Sequence, residues 1–225
     1  MTGGRAWRRP AVAAACALLA CCYRGPAPPD WELDSRAAID RSVAAYLSGD
    51  GALAAQEFDR GRQQVARTGR ADLVARVELI RCAARVASLQ FDACDGFEKL
   101  RTAADPADRA YADFLAARLR PQDLDLLPRA QRAAAGAASD PDTAASTLRA
   151  IEDPFSRLVA AAVLFQAGRA NPAAISLAVD TASAQGWRRP LLAWLNVQAA
   201  RAEKAGALDE AGRLRRRIGL VQGTE

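Results

Sequence analysis

Leu73-Val74-Ala75-Arg76-Val77-Glu78-Leu79-Ile80-Arg81-Cys82-Ala83-Ala84-Arg85-Val86-Ala87-Ser88-Leu89-Gln90-Phe91 is the stretch that decides the fold. Leu73, Val77, Ile80, Ala84, Ala87 and Phe91 recur at steps of four and three, the period of one α-helical face. Leu79, Cys82, Val86 and Leu89 form a second stripe. A helix that is apolar on two faces needs two packing partners, so this one is predicted to be central.

The same period runs outward in both directions, and strand-like alternation is missing. A helix is predicted from about Trp31 to Leu47, with Ile39, Val43 and Tyr46 on one face. Gly49-Asp50-Gly51 breaks it, and Asp50 can cap a second helix that carries Ala54, Phe58, Gly61 and Val65. Thr68-Gly69 ends that helix. Beyond the central helix lies a short segment near Asp95 to Ala103. Pro106 opens a helix to about Leu119, and Pro121 opens another that ends near Gly136. Asp140-Pro141, Asp153-Pro154 and Asn171-Pro172 repeat the start signal, while Gly168, Gly186 and Gly206 stand where C-terminal caps belong. Ala207, Ala211, Leu214, Ile218 and Val221 mark a last helix. The expectation is an all-α fold of antiparallel helix hairpins stacked in series, an α-solenoid. A closed orthogonal bundle is the alternative. The spacing and small-residue use resemble tetratricopeptide-type repeats, without their full tryptophan, Gly-Tyr and closing-proline pattern.

The amino terminus carries a different message. Arg5, Arg8 and Arg9 precede an apolar run from Ala11 to Ala20. A spanning helix needs roughly 20 apolar residues, so this shorter run reads as a secretory signal. Leu18-Leu19-Ala20-Cys21 follows, and it resembles the lipobox of bacterial lipoproteins. The resemblance implies a diacylglycerol on the Cys21 thiol, cleavage before Cys21, and acylation of the new amine. Residues 1–20 are then the signal peptide. Cys16 would leave too short an apolar run, and Cys22 would place Cys21 at the cut. An ordinary signal peptide cut near Ala20 is the competing reading. Cys22, not Asp, follows the anchor, which by the same resemblance implies the outer membrane, facing the periplasm. Pro26, Pro28 and Pro29 make residues 21–30 an extended tether of at most roughly 30 Å, leaving 31–225 as the helical domain.

Composition narrows the chemistry. The chain has 31 basic and 26 acidic residues, and loss of Arg5, Arg8 and Arg9 leaves a nearly neutral mature protein. Nucleic acid is not an expected partner in the compartment the lipobox resemblance implies, and the one arginine cluster spans a single helix turn, not a basic face. No histidine occurs, which removes imidazole bases, Ser-His-Asp and Cys-His nucleophiles and imidazole metal sites. No phosphate loop, metal spacing or nucleophile elbow is present, so neither catalytic residues nor a cofactor or metal are expected. Cys82 and Cys94 remain as a pair, which an oxidising compartment would join. In one straight helix residues twelve apart are about 18 Å apart, whereas a disulfide needs Cα atoms about 5.5 Å apart. The chain must therefore turn between them, near Phe91-Asp92. Two free buried thiols are the alternative.

Three groups of residues suggest surfaces. Trp187, Arg188, Arg189 and Trp194 could form a groove whose arginines grip a carboxylate or phosphate. Trp194 reads better as core, on the Leu191-Leu195 side of its helix, and Trp187 as a loop cover. Arg213, Arg215, Arg216 and Arg217 could meet anionic headgroups. Asp209 and Glu210, one turn earlier, could instead neutralise Arg213 and Arg217. Asp123 with Asp125, or Glu152 with Asp153, are the conceivable acid–base pairs, although Asp153 reads better as a helix cap. The function expected is a non-enzymatic, membrane-tethered interaction module that binds an envelope protein. The alternatives are a peptidoglycan-acting enzyme or its activator, which needs a desolvated carboxylate, and a lipid or small-ligand binder, which needs an apolar cavity.

Overall fold

The computed structural model describes residues 27–137 and 141–223; the signal segment, Cys16, Cys21 and Cys22 lie outside them. Among the described residues every regular element is helical. They are α1 Asp30–Ser48, α2 Gly51–Ala66, α3 Ala71–Ala87, α4 Asp95–Glu98, α5 Pro106–Leu115, a 3-10 turn Pro121–Leu126, α6 Arg129–Ala137, α7 Pro141–Arg149, α8 Pro154–Gln166, α9 Pro172–Ala184, α10 Arg188–Lys204 and α11 Leu208–Gln222.

Consecutive helices pair as hairpins: α1 with α2, α8 with α9, α9 with α10, and α10 with α11. In the first pair the helices touch through small residues. A Cβ on Gly61 would lie 2.8 Å from two side-chain carbons of Ile39. The Ser35 hydroxyl donates to the Gly61 carbonyl at 3.0 Å, and the Ser42 hydroxyl to the Ala54 carbonyl at 2.7 Å.

α3 buries both stripes, although Ala87 and Phe91 of the first stripe join the second stripe's core. Val74 and Val77, with Leu73 and Ile80 at the edge, join Ile39, Phe58 and Val65 in a small core shared with α1 and α2. Leu79, Cys82, Val86 and Ala87 face the main core instead, among Phe97, Phe114, Leu158 and Trp194. The helix thus ties the first hairpin to everything that follows.

The hairpins do not extend as an open stack. α3 packs against α8, and α1 against α10. In a solenoid each repeat touches only its neighbours, so these returns bring the closed-bundle alternative forward. Two side chains fasten the closure. The indole N–H of Trp194 donates to the Ala87 carbonyl at 3.2 Å, and Arg189 Nε donates to the Tyr46 carbonyl at 2.7 Å.

Two predicted helices end elsewhere. α5 stops at Leu115, not Leu119, because Ala117 takes the left-handed conformation at φ 53 and so closes the helix without a glycine. The helix expected from Pro121 to Gly136 is a 3-10 turn and then α6. Pro128 divides them: the residue before a proline is driven out of the helical region, and Leu127 sits at ψ 151. Gly168, Gly186 and Gly206 have φ of 71, 65 and 72, the left-handed caps expected at those ends.

The Cys82–Cys94 disulfide is present, with Cα atoms 5.8 Å apart. The reversal that permits it lies between α3 and α4, beginning at Leu89, whose φ is 58. That is slightly earlier than Phe91-Asp92.

Partly buried phenols give this core an alkaline limit. Burial pushes the Tyr111 phenol up, and the Asp153 carboxylate adds to it. Burial also raises Tyr46, against the opposing charges of Arg189 and Arg85. A phenol held above its unfolded value of about 10 binds its proton more tightly in the folded state. Its contribution is whole below about pH 10 and is lost as pH rises through the folded value. Denaturant midpoints should therefore fall above about pH 10. Tyr111→Phe should flatten that fall; an unchanged alkaline slope would contradict the burial argument.

Candidate binding surfaces

The Trp187–Trp194 segment takes the core and loop-cover reading, not the groove. Trp194 is 0% exposed, and its ring meets Phe165 edge-on at 5.6 Å between centroids. It is therefore a core residue, not a binding one. Trp187 is the residue before α10 and lies half-buried against the main core. Arg189 is used internally. Its guanidinium covers the Tyr46 ring at 4.4 Å and also reaches the Gly49 carbonyl at 3.3 Å. It caps the carbonyl end of α1, where a cation is favoured. Of that segment's arginines, Arg188 alone is exposed.

The arginine row on α11 is partly neutralised. Arg213 pairs with Glu210, as the spacing suggests, while Arg217 donates to the Ser183 hydroxyl at 3.1 Å in place of the expected acid. Arg215 Nε reaches Glu203 on α10 at 2.8 Å. Arg216 is exposed and makes no ion pair among the described residues.

The carboxylates of the conceivable acid–base pairs are also placed, Glu152 being exposed. Asp153 accepts from the Ser156 N–H at 2.7 Å and caps α8. Asp123 is held by Arg120 at 2.7 Å. Asp125 is almost fully exposed and lies 3.7 Å from Arg132. None of these three is a free, desolvated carboxyl, which glycosidic chemistry requires of its acid.

Sequence reasoning missed two buried carboxylates. Glu57 is 6% exposed and held by Arg41 at 2.8 and 3.0 Å and by Arg60 at 3.4 Å. Glu78, 5% exposed, accepts from Arg62 at 2.7 Å and from Arg81 at 2.6 Å. Gly96 leaves room for that carboxylate, since a Cβ there would lie 2.2 Å from Glu78 Oε2. The signal was in plain view: Glu78 stands between Val77 and Leu79, one on each apolar stripe. Such a position forces an acid inward, and a buried charge must be paired.

Sequence reasoning also missed a cleft of about 610 Å³ between the segment after α4, α5 and the 3-10 turn. Arg101, Arg109, Arg118 and Arg120 line it, against Glu98, Asp113 and Asp123. Arg101 bridges Glu98 at 3.1 Å and Asp113 at 2.7 Å. Arg120 is taken by Asp123. Arg109 donates to the Ala104 carbonyl, and neither it nor Arg118 has a carboxylate partner among the described residues. Guanidinium groups grip carboxylates in a planar, bidentate fashion that lysine cannot reproduce. The cleft therefore offers two unneutralised forks at a surface that Leu126, 41% exposed, also lines.

Among the described residues no cluster of acids and cysteines suits a metal ion, and no helix is long and apolar enough to cross a membrane. Comparison with known protein families, with characterised proteins and with solved structures finds no match.

Proposed function

We propose that the chain is a lipid-anchored envelope protein, held by acylated Cys21, whose helical domain binds a protein partner without catalysing a reaction. The observation that carries the binding half is the arginine-lined cleft with Arg109 and Arg118 free of carboxylates. An acidic segment of the partner is the complement such a cleft calls for. The anchoring half rests on Leu18-Leu19-Ala20-Cys21 behind its basic head, and the Cys82–Cys94 disulfide accords with an oxidising compartment. The proline tether before α1 would keep the domain near the membrane, and the outer membrane's periplasmic face is the location the residue after Cys21 favours.

A photo-crosslinking residue in place of Leu126, at the edge of the cleft, tests the binding half in intact membranes. The expected result is one protein adduct that Arg118→Glu abolishes and high salt weakens. An adduct indifferent to both charge and salt would remove the cleft from the proposal.

A further inference from the structure

A second cavity, about 490 Å³, lies between the end of α5, the 3-10 turn, α6 and the C-terminal half of α8. Phe114, Leu119, Leu124, Val163 and Leu164 are among its walls, and alanines supply much of the rest. Every lining residue is apolar or glycine with one exception, Arg169. Arg169 follows the left-handed cap Gly168, is exposed, and makes no ion pair or side-chain hydrogen bond among the described residues. Its backbone N–H is fixed on the Leu164 carbonyl at 2.8 Å, so the side chain starts from a defined place at the cavity's edge.

Size, lining and charge agree on one class of ligand. The volume falls within the roughly 300–1,000 Å³ of small-molecule sites. Small alanine side chains leave space that larger residues would have filled, and apolar walls favour an apolar guest that displaces water from them. A guest that is apolar throughout would leave Arg169 unused. We infer that this cavity binds a single-chain anionic amphiphile, its acyl chain among Phe114, Leu124 and Val163 and its carboxylate or phosphate on Arg169. The inference is independent of the arginine cleft and of the anchor at Cys21.

The test is photolabelling of the full chain in phosphatidylcholine vesicles with a diazirine analogue of palmitate, followed by peptide mapping. The expected labels fall on residues 114–136 and 160–169 and saturate. Unlabelled palmitate should displace them. Arg169→Gln should weaken palmitate by at least about tenfold while leaving its uncharged methyl ester unchanged. Ala167→Phe, at an exposed position on the cavity's rim, should block labelling with no change in melting temperature. Stronger competition by lysophosphatidylglycerol than by palmitate would assign the headgroup to a phospholipid fragment and support the site. Labels spread over the surface, or equal competition by palmitate and its methyl ester, would overturn the assignment.

Discussion

Trp194→Ala is expected to lower the unfolding free energy by about 3–5 kcal/mol, the range for removing a large aromatic side chain from a core. Trp194 is completely buried, and its loss acts at three places. The gain from taking the ring out of water is lost, and a void is left in the folded state. The edge-on contact with Phe165 on α8 disappears. The Ala87 carbonyl, in the last turn of α3 where no helical N–H can reach it, loses its donor. Since Ala87 and Trp194 lie 107 residues apart, the same bond joins the early helices to α10. Trp194→Phe keeps most of the area and loses the bond, so its cost should be smaller, about 1–3 kcal/mol. Urea unfolding followed by far-ultraviolet circular dichroism measures both. A cost below about 1 kcal/mol for the alanine variant would mean that this residue does not hold the bundle closed.

Replacing Arg62 and Arg81 together by methionine should cost a comparable amount, about 3–5 kcal/mol, the penalty for stranding a buried charge. Glu78 is the stranded group. Both arginines keep one side in solvent, so deleting Glu78 itself should cost less than deleting its partners. Adding Glu78→Leu to the double variant removes the charge and should recover most of the lost stability, because a packed apolar cluster is often as stable as the ion pair it replaces. Failure of that rescue would show that the arginines act through other contacts, such as the Arg81 guanidinium over the Phe58 ring at 4.1 Å.

Local signals account for what was legible. Ala54, Phe58, Gly61 and Val65 are all buried, as their spacing requires. Caps at Asp50, Asp153 and Asn171 accept backbone N–H groups three residues on. The errors at α5 and α6 are also local: Ala117 does a glycine's work, and Pro128 interrupts a run that otherwise reads as helical. Long-range partners were not legible for a different reason. Arg189 looks free beside Arg188, yet its partners Tyr46 and Gly49 lie more than a hundred residues away. The same applies to Trp194. Neither cavity has a contiguous signature either, since each takes its walls from several elements that only the fold assembles.

The central claim, a lipid-anchored chain folded in an oxidising compartment, is tested by the intact mass of the protein extracted from membranes and alkylated without reduction. The account predicts a chain that begins at Cys21, carries a diacylglyceryl group and an N-acyl chain, and shows no alkylation at Cys82 or Cys94. An unmodified Cys21, a retained residue 1–20 segment, or alkylated thiols at Cys82 and Cys94 would contradict it.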